Sequence, residues 1–238
     1  MVRTMPPGSD WLYAKVYSGI ATADHLLTET VASLVEELRG AGAVDAWFFL
    51  RQADPDPHLR LRFHGDPDRL HAEALPALQA AVAPLLHDGR VRRLQLDTYK
   101  REIERYGGAE GMALAEQVFQ CDSNAALEIL DQLEPGDAGL DERWRLTLCS
   151  MHHFLADFGF DLETNASLMS RLRGAYEAEF GAHSALRIQV GDRFRKERRD
   201  LETLLDPAER EAHPLAPGLA VFERRSIRLK PCASNWIL

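Results

Sequence analysis

The sequence predicts an α+β fold, in which an N-terminal antiparallel sheet is followed by a mostly helical C-terminal half. Strand-like segments occur only in the first hundred residues, where two amphipathic helices separate them. The order of these elements is β-α-β-β-α-β, the ferredoxin-like order. Beyond them the apolar spacing is helical. We expect a single domain over residues 1–238, with an α/β sheet subregion at 1–98 and a helical subregion at 99–238.

The predicted sheet begins with aromatic and branched residues at 11–17, which indicate the first strand. Residues 22–39 carry apolar side chains at spacings of three and four and predict an amphipathic helix. Two further strands, at 45–51 and 58–63, flank a turn rich in Asp and Pro at 53–57. These two strands are expected to pair as a hairpin.

The second helix of the sheet subregion is predicted from Asp66, a capping residue, to about Leu86. Pro76 and Pro84 are expected to kink or break it. A last strand is predicted at 91–96.

The remainder of the chain shows helical periodicity. Helices are predicted near residues 112–133, 141–158, 163–176 and 184–205.

The composition is that of a folded globular protein, with 45% hydrophobic and 27% charged residues. The 28 basic and 37 acidic residues give a net charge of −9, which argues against a protein that mainly coats nucleic acid. We therefore expect no direct nucleic-acid partner. No apolar run is long enough to span a membrane, and no secretion signal precedes the first strand, so a cytoplasmic protein without a membrane partner is expected.

The segment 58–63, HLRLRF, is the strongest local signal of function. Alternation along a strand places His58, Arg60 and Arg62 on one face and the apolar residues on the other. One interpretation is an exposed face whose arginines pair with neighbouring acids. The other is an anion site, because the planar forks of two guanidinium groups suit a carboxylate or phosphate.

A second basic segment, residues 90–106, holds six basic and three acidic side chains. It is expected to form a second wall of the same anion site. The alternative is a salt-bridged helix start in which Arg101, Glu104 and Arg105 neutralise one another.

Several motifs together resemble the C-terminal domain of lantibiotic dehydratases, which also occurs as a stand-alone thiopeptide-type bacteriocin biosynthesis protein. Order and spacing agree over roughly residues 10–230. The matching segments are 11–17 (WLYAKVY), 47–54 (WFFLRQAD), 58–63 (HLRLRF), 99–108 (YKREIERYGG) and 115–123 (AEQVFQCDS).

This resemblance implies glutamate elimination from a ribosomal precursor peptide. In the family, a partner enzyme esterifies Ser or Thr hydroxyls with glutamate from glutamyl-tRNA, and this domain releases the glutamate to leave dehydroalanine or dehydrobutyrine. The implied partners are the glutamylated precursor peptide and the glutamylating dehydratase, and self-association is left open. No cofactor is expected. No metal site is predicted either, because the histidines lack the spacing of a ligand pair.

By motif match, the anion-binding arginines of the family fall on Arg60, Arg62 and Arg101, and Tyr99 and Arg105 are expected to contact the substrate. Family members tend to end in a short segment whose histidine is the general base, whereas no histidine follows His213 in this sequence. The alternatives are a shortened, impaired chain, an activity other than elimination, or another base. The candidate bases are His58, His152 and His153, and His58 is preferred because it shares a strand face with two of the arginines.

Two other functions are compatible with the resemblance. Related stand-alone proteins perform a formal [4+2] cycloaddition between two dehydroalanines to form the pyridine core of thiopeptides. The third alternative is a noncatalytic module that binds the peptide or the partner enzyme. The segments 58–63 and 99–108 favour glutamate recognition, so elimination is ranked first.

Overall fold

The computed structural model describes residues 1–134, 136–181 and 184–236. It confirms the α+β class, because the strands lie within the first hundred residues and helices make up nearly all of the described remainder. The chain divides into two compact units, Met1–Asp131 and Gln132–Leu238. This division falls beyond residue 98, because the first unit also includes the long helix that follows the sheet. The single domain over 1–238 stays a prediction.

The first unit contains a four-stranded antiparallel sheet and a separate pair of short strands. The strands are β1 (Thr4–Met5), β2 (Trp11–Ser18), β3 (Ala46–Gln52), β4 (His58–His64), β5 (Val91–Leu96) and β6 (Tyr99–Lys100). The order in the larger sheet is β3-β4-β2-β5, and β3 and β4 pair as the predicted hairpin. Strands β1 and β6 pair with each other and were not predicted from the sequence.

Both predicted helices of the sheet subregion are present, and each contains a π-helical turn. The first consists of α1 (Thr22–His25), the turn Leu26–Val31 and α2 (Ala32–Gly40), and the second of α3 (Pro67–Arg69), the turn Leu70–Ala74 and α4 (Leu75–His87). Asp66 caps α3 as predicted, since its side chain accepts from the backbone N–H groups of Asp68 and Arg69. Pro84 is accommodated inside α4.

The two faces of the larger sheet carry different clusters. Leu59, Leu61 and Phe63 of β4 belong to the main hydrophobic core, together with apolar residues of the helices between 22 and 87. The opposite face carries a smaller, mostly aromatic cluster, comprising Met5, Trp11, Tyr13, Phe48 and Tyr99. The alternation predicted for 58–63 is therefore confirmed.

Helix α5 (Gly108–Gln132) follows the sheet, and two of its side chains form hydrogen bonds with β3. Ser123 Oγ accepts the backbone N–H of Phe49 at 3.1 Å. Asn124 Oδ1 accepts the indole N–H of Trp47 at 3.0 Å. Phe119 packs on the aromatic cluster of the sheet, so α5 covers part of this face.

The described part of the second unit is helical. It contains α6 (Asp137–Asp157), α7 (Leu162–Phe180), α8 (Ser184–Leu205), a 3₁₀ turn at Arg210–Ala212 and α9 (Ala216–Trp236). The helices predicted near 141–158, 163–176 and 184–205 are present, whereas α9 was not predicted.

None of the described helices is both long enough and apolar enough to cross a membrane.

Candidate functional site

Arg62 lies inside a box of three aromatic rings on the sheet face opposite the main core. Its guanidinium carbon is 4.3 Å from the ring centroid of Tyr99, 4.7 Å from that of Tyr13 and 5.1 Å from that of Phe48. Tyr13 and Phe48 are the direct neighbours of Arg62 on β2 and β3. Such ring faces attract a cation and partly compensate for its removal from water.

The charge of Arg62 is not neutralised by an acid in the part of the chain that the structure describes. The residue is only 8% exposed, and its Nε has no hydrogen-bond partner there. Burial lowers the pKa of Arg62, and the neighbouring hydroxyls of Tyr99 and Tyr13 oppose this effect. A buried guanidinium without an acidic partner among the described residues is suited to binding an anion from outside the chain.

Arg60 and His58 form a hydrogen-bonded pair next along the same face. Nε of Arg60 donates to Nε2 of His58 at 3.1 Å. Since Nε2 accepts this bond, the ring proton is assigned to Nδ1, which then donates to the carbonyl oxygen of Asp56 at 2.8 Å. His58 is 4% exposed and stacks on Tyr17 with ring centroids 4.7 Å apart.

Arg101 follows β6 and forms a buried ion pair with Glu116 of α5. The Arg101 Nε to Glu116 Oε1 distance is 2.6 Å, and the Nη2 to Oε2 distance is 2.9 Å. The third nitrogen, Nη1, donates to the carbonyl oxygen of Val2 at 3.1 Å. All three nitrogens of the predicted anion ligand are therefore engaged by groups of the chain itself.

Tyr99 connects Arg62 with the Arg101–Glu116 pair. Its ring lies against Arg62, and its hydroxyl donates to Glu116 Oε1 at 2.9 Å. Burial, followed by the nearby Glu116 carboxylate, raises the pKa of Tyr99 well above its ordinary value. Tyr99 is therefore a hydrogen-bond donor and not a base.

We call the sheet face that carries His58, Arg60 and Arg62 the polar face. Lys15 and Asp97 also lie on this face, and they were not predicted as site residues from the sequence. Lys15 lies opposite Arg60 in the β2–β4 register and forms an ion pair with Asp97. The hydrogen bond from Lys15 lowers the pKa of Asp97, and the charge of Arg60 adds a smaller effect. The signal was available, because Lys15 shares one face of the first predicted strand with Tyr13 and Tyr17.

Arg105 is exposed, in contrast to the other predicted site residues. It pairs with Glu102 through a contact of 2.9 Å, and its side chain is 72% exposed. The mutual pairing considered for Arg101, Glu104 and Arg105 is not found, since Glu104 pairs with Arg3 instead. A role of Arg105 in substrate contact stays a prediction.

The other candidate bases, His152 and His153, lie on α6 in the second unit, with ring centroids 6.1 Å apart. Burial lowers the pKa of His153. Within the described ranges, no group of three or more His, Cys, Asp or Glu residues is arranged to hold a metal ion.

Comparison with known proteins relates this arrangement to a family. The family model described as lantibiotic biosynthesis dehydratase C-term matches residues 11–236. Subtilin biosynthesis protein SpaB of Bacillus subtilis is 29% identical over 190 residues, which cover 79% of this chain and 18% of SpaB.

Two solved structures share the fold. The tRNA-dependent lantibiotic dehydratase MibB from Microbispora sp. 107891 has a TM-score of 0.73 and 25% identity, covering 100% of this chain and 24% of MibB. The pyridine synthase TbtD from thiomuracin biosynthesis has a TM-score of 0.63 and 15% identity, covering 94% of this chain and 80% of TbtD. The chain spans less than a quarter of the length of SpaB and of MibB. Because the family model matches nearly the whole sequence, the chain belongs to the lantibiotic biosynthesis dehydratase C-terminal family.

Proposed function

We propose that this chain eliminates glutamate from glutamylated Ser or Thr residues of a ribosomal precursor peptide, leaving dehydroalanine or dehydrobutyrine. The observation that carries the proposal is Arg62, a buried guanidinium without an acidic partner among the described residues. Membership of the family supports a role in lantibiotic or thiopeptide dehydration. A partner enzyme that attaches glutamate would supply the substrate.

The reaction needs an anion site and a base. The base removes the proton from Cα of the esterified residue, a double bond forms between Cα and Cβ, and the Cβ–O bond breaks. The electron pair of that bond leaves on the carboxylate of the released glutamate. Negative charge therefore develops on a carboxylate, and a preorganised guanidinium in a site with little water stabilises it.

Arg62 and Arg60 are the proposed ligands of the glutamate. Both lie on one face of β4, and the rings around Arg62 exclude water and hold its side chain in place. His58 is the proposed base, because its imidazole lies on the same face as the two arginines and contacts Arg60. Tyr99 is proposed to fix the orientation of Arg62.

The proposal is tested by incubating the full chain with a purified glutamylated precursor peptide and following products by mass spectrometry. Release of free glutamate, with one dehydrated residue formed for each glutamate lost, is the expected result. A pyridine-containing product from a dehydrated peptide would instead indicate cycloaddition. Binding of the glutamylated peptide without turnover would indicate a noncatalytic module, and either outcome would contradict the proposal.

A further inference from the structure

We propose that Glu116 is a positioning residue of this site, which directs the glutamate carboxylate to Arg62 and away from Arg101. The inference rests on the proposed function and specifies which cation takes the substrate. It differs from the expectation drawn from the motifs, in which Arg101 binds the anion directly.

Arg101 is already bound to a carboxylate of the chain itself. Its side chain is 8% exposed, and that of Glu116 is 12% exposed, so the pair is largely removed from water. Both oxygens of Glu116 accept from the guanidinium, in the two-pronged geometry that is strongest for this pair. A substrate carboxylate would have to displace a buried carboxylate that is already bonded, and would leave Glu116 without compensation. Arg62 carries no such competitor among the described residues.

Tyr99 links Glu116 to Arg62. Oε1 of Glu116 accepts from Arg101 and also from the Tyr99 hydroxyl, at 2.6 and 2.9 Å. The ring of Tyr99 is the closest of the three rings around Arg62. Glu116 therefore restrains the ring on which Arg62 lies. Helix α5, which carries Glu116, is itself held to β3 through Ser123 and Asn124.

The test compares three variants, Arg101→Gln, Glu116→Gln and the double variant, by KM and kcat for glutamate release. Arg101→Gln leaves a buried negative charge near the glutamate site, so we expect KM to rise at least about tenfold. The double variant removes both charges and keeps an amide oxygen that can accept from Tyr99. The KM of the double variant should therefore lie within about threefold of the wild-type KM, as expected when both partners of a buried pair are replaced.

A folded double variant with a KM as high as that of Arg101→Gln would overturn the inference, because Arg101 itself would then bind the substrate. If Arg101→Gln does not fold, the comparison of the double variant with the wild type decides alone. Glu110→Gln, an exposed substitution on the same helix, is the matched control and should leave KM unchanged.

A second measurement uses free glutamate as a competitive inhibitor. Glu116→Gln releases Arg101 from its partner, so glutamate should inhibit this variant more strongly than the wild type, and equal inhibition would contradict the inference. If the wild type releases no glutamate, the proposed function fails. The affinity of the same variants for the glutamylated peptide, measured by calorimetry, then still tests the role of Glu116.

Discussion

Arg60 donates a hydrogen bond to Nε2 of His58, the ring nitrogen that would accept a proton as a base. The bond from Arg60 Nε to His58 Nε2 is 3.1 Å long, and the other ring nitrogen is bonded to the carbonyl oxygen of Asp56. Both ring nitrogens are thus engaged, and His58 can accept a proton from a substrate only after Arg60 turns away. If Arg60 turns to bind the glutamate carboxylate, substrate binding itself exposes the base.

This relationship predicts different kinetic effects for the two residues. His58→Asn should lower kcat for glutamate release by about 100-fold to 10,000-fold, the usual contribution of a positioned base, with a smaller effect on KM. Arg60→Gln should mainly raise KM, because a ligand of the carboxylate is lost while the base remains. Steady-state kinetics with the glutamylated peptide measures both.

The control for the base is His71→Asn, since His71 is exposed and lies outside the polar face. A kcat for His58→Asn equal to that of the wild type would show that another group removes the proton.

Arg62 is expected to contribute most to stabilising the departing carboxylate. Arg62→Gln keeps much of the side-chain volume but removes the charge, and should slow glutamate release by about 100-fold to 1,000-fold, equivalent to about 3–4 kcal/mol. Arg62→Lys should recover only part of this, because an ammonium group lacks the planar fork. Single-turnover rates measure the chemical step directly.

Arg92→Gln is the matched control, because Arg92 is an exposed arginine on β5, another strand of the same sheet. Release by Arg62→Gln at the rate of the control would exclude Arg62 from the anion site.

The cap of the helix that begins at Pro67 allows a test of stability alone. Asp66 Oδ1 accepts from the backbone N–H groups of Asp68 and Arg69 at 3.0 and 3.1 Å. Asp66→Ala should lower the free energy of unfolding by about 1 kcal/mol, the usual value of such a cap. Urea denaturation followed by circular dichroism measures it. Asp68→Ala, which leaves both bonds in place, should have a smaller effect.

Features of the fold that depend on local interactions could be predicted from the sequence. The faces of β4 follow from strict alternation over residues 58–63, and the cap at Asp66 follows from a short pattern of Asp and Pro. These features depend on side chains within a few positions of one another. The sequence alone therefore predicts that His58, Arg60 and Arg62 lie on one face.

The pairing of Arg101 could not be predicted in the same way. Its partner Glu116 lies 15 residues further along, beyond a turn and inside a helix whose orientation is set by packing on β3. Acidic residues closer to Arg101 in sequence, such as Glu104, were the partners considered from the sequence, but Glu104 pairs with Arg3 instead. Helix α9 was not predicted, and it contains two prolines, Pro217 and Pro231. Pro217 lies in its first turn, where a missing N–H is tolerated.

The lowered pKa of His153 should make the stability of the second unit depend on pH. Burial is the main cause that lowers the pKa of His153, and the nearby charge of Arg210 adds to it. In the unfolded chain a histidine protonates near its ordinary pKa of about 6.5, whereas in the folded chain protonation requires a lower pH. Between these two values the unfolded state binds more protons, so the free energy of unfolding must fall as the pH falls through this window.

Replacing His153 by Gln removes this group from both states. The unfolding free energy of His153→Gln should therefore fall less steeply than that of the wild type between about pH 7 and pH 5, in a series of urea titrations. His152→Gln changes the adjacent histidine on the same helix and is the matched control. Other groups titrate in the same range, so the comparison concerns slopes and not absolute values. Equal slopes for the wild type and His153→Gln would mean that protonating His153 does not oppose folding.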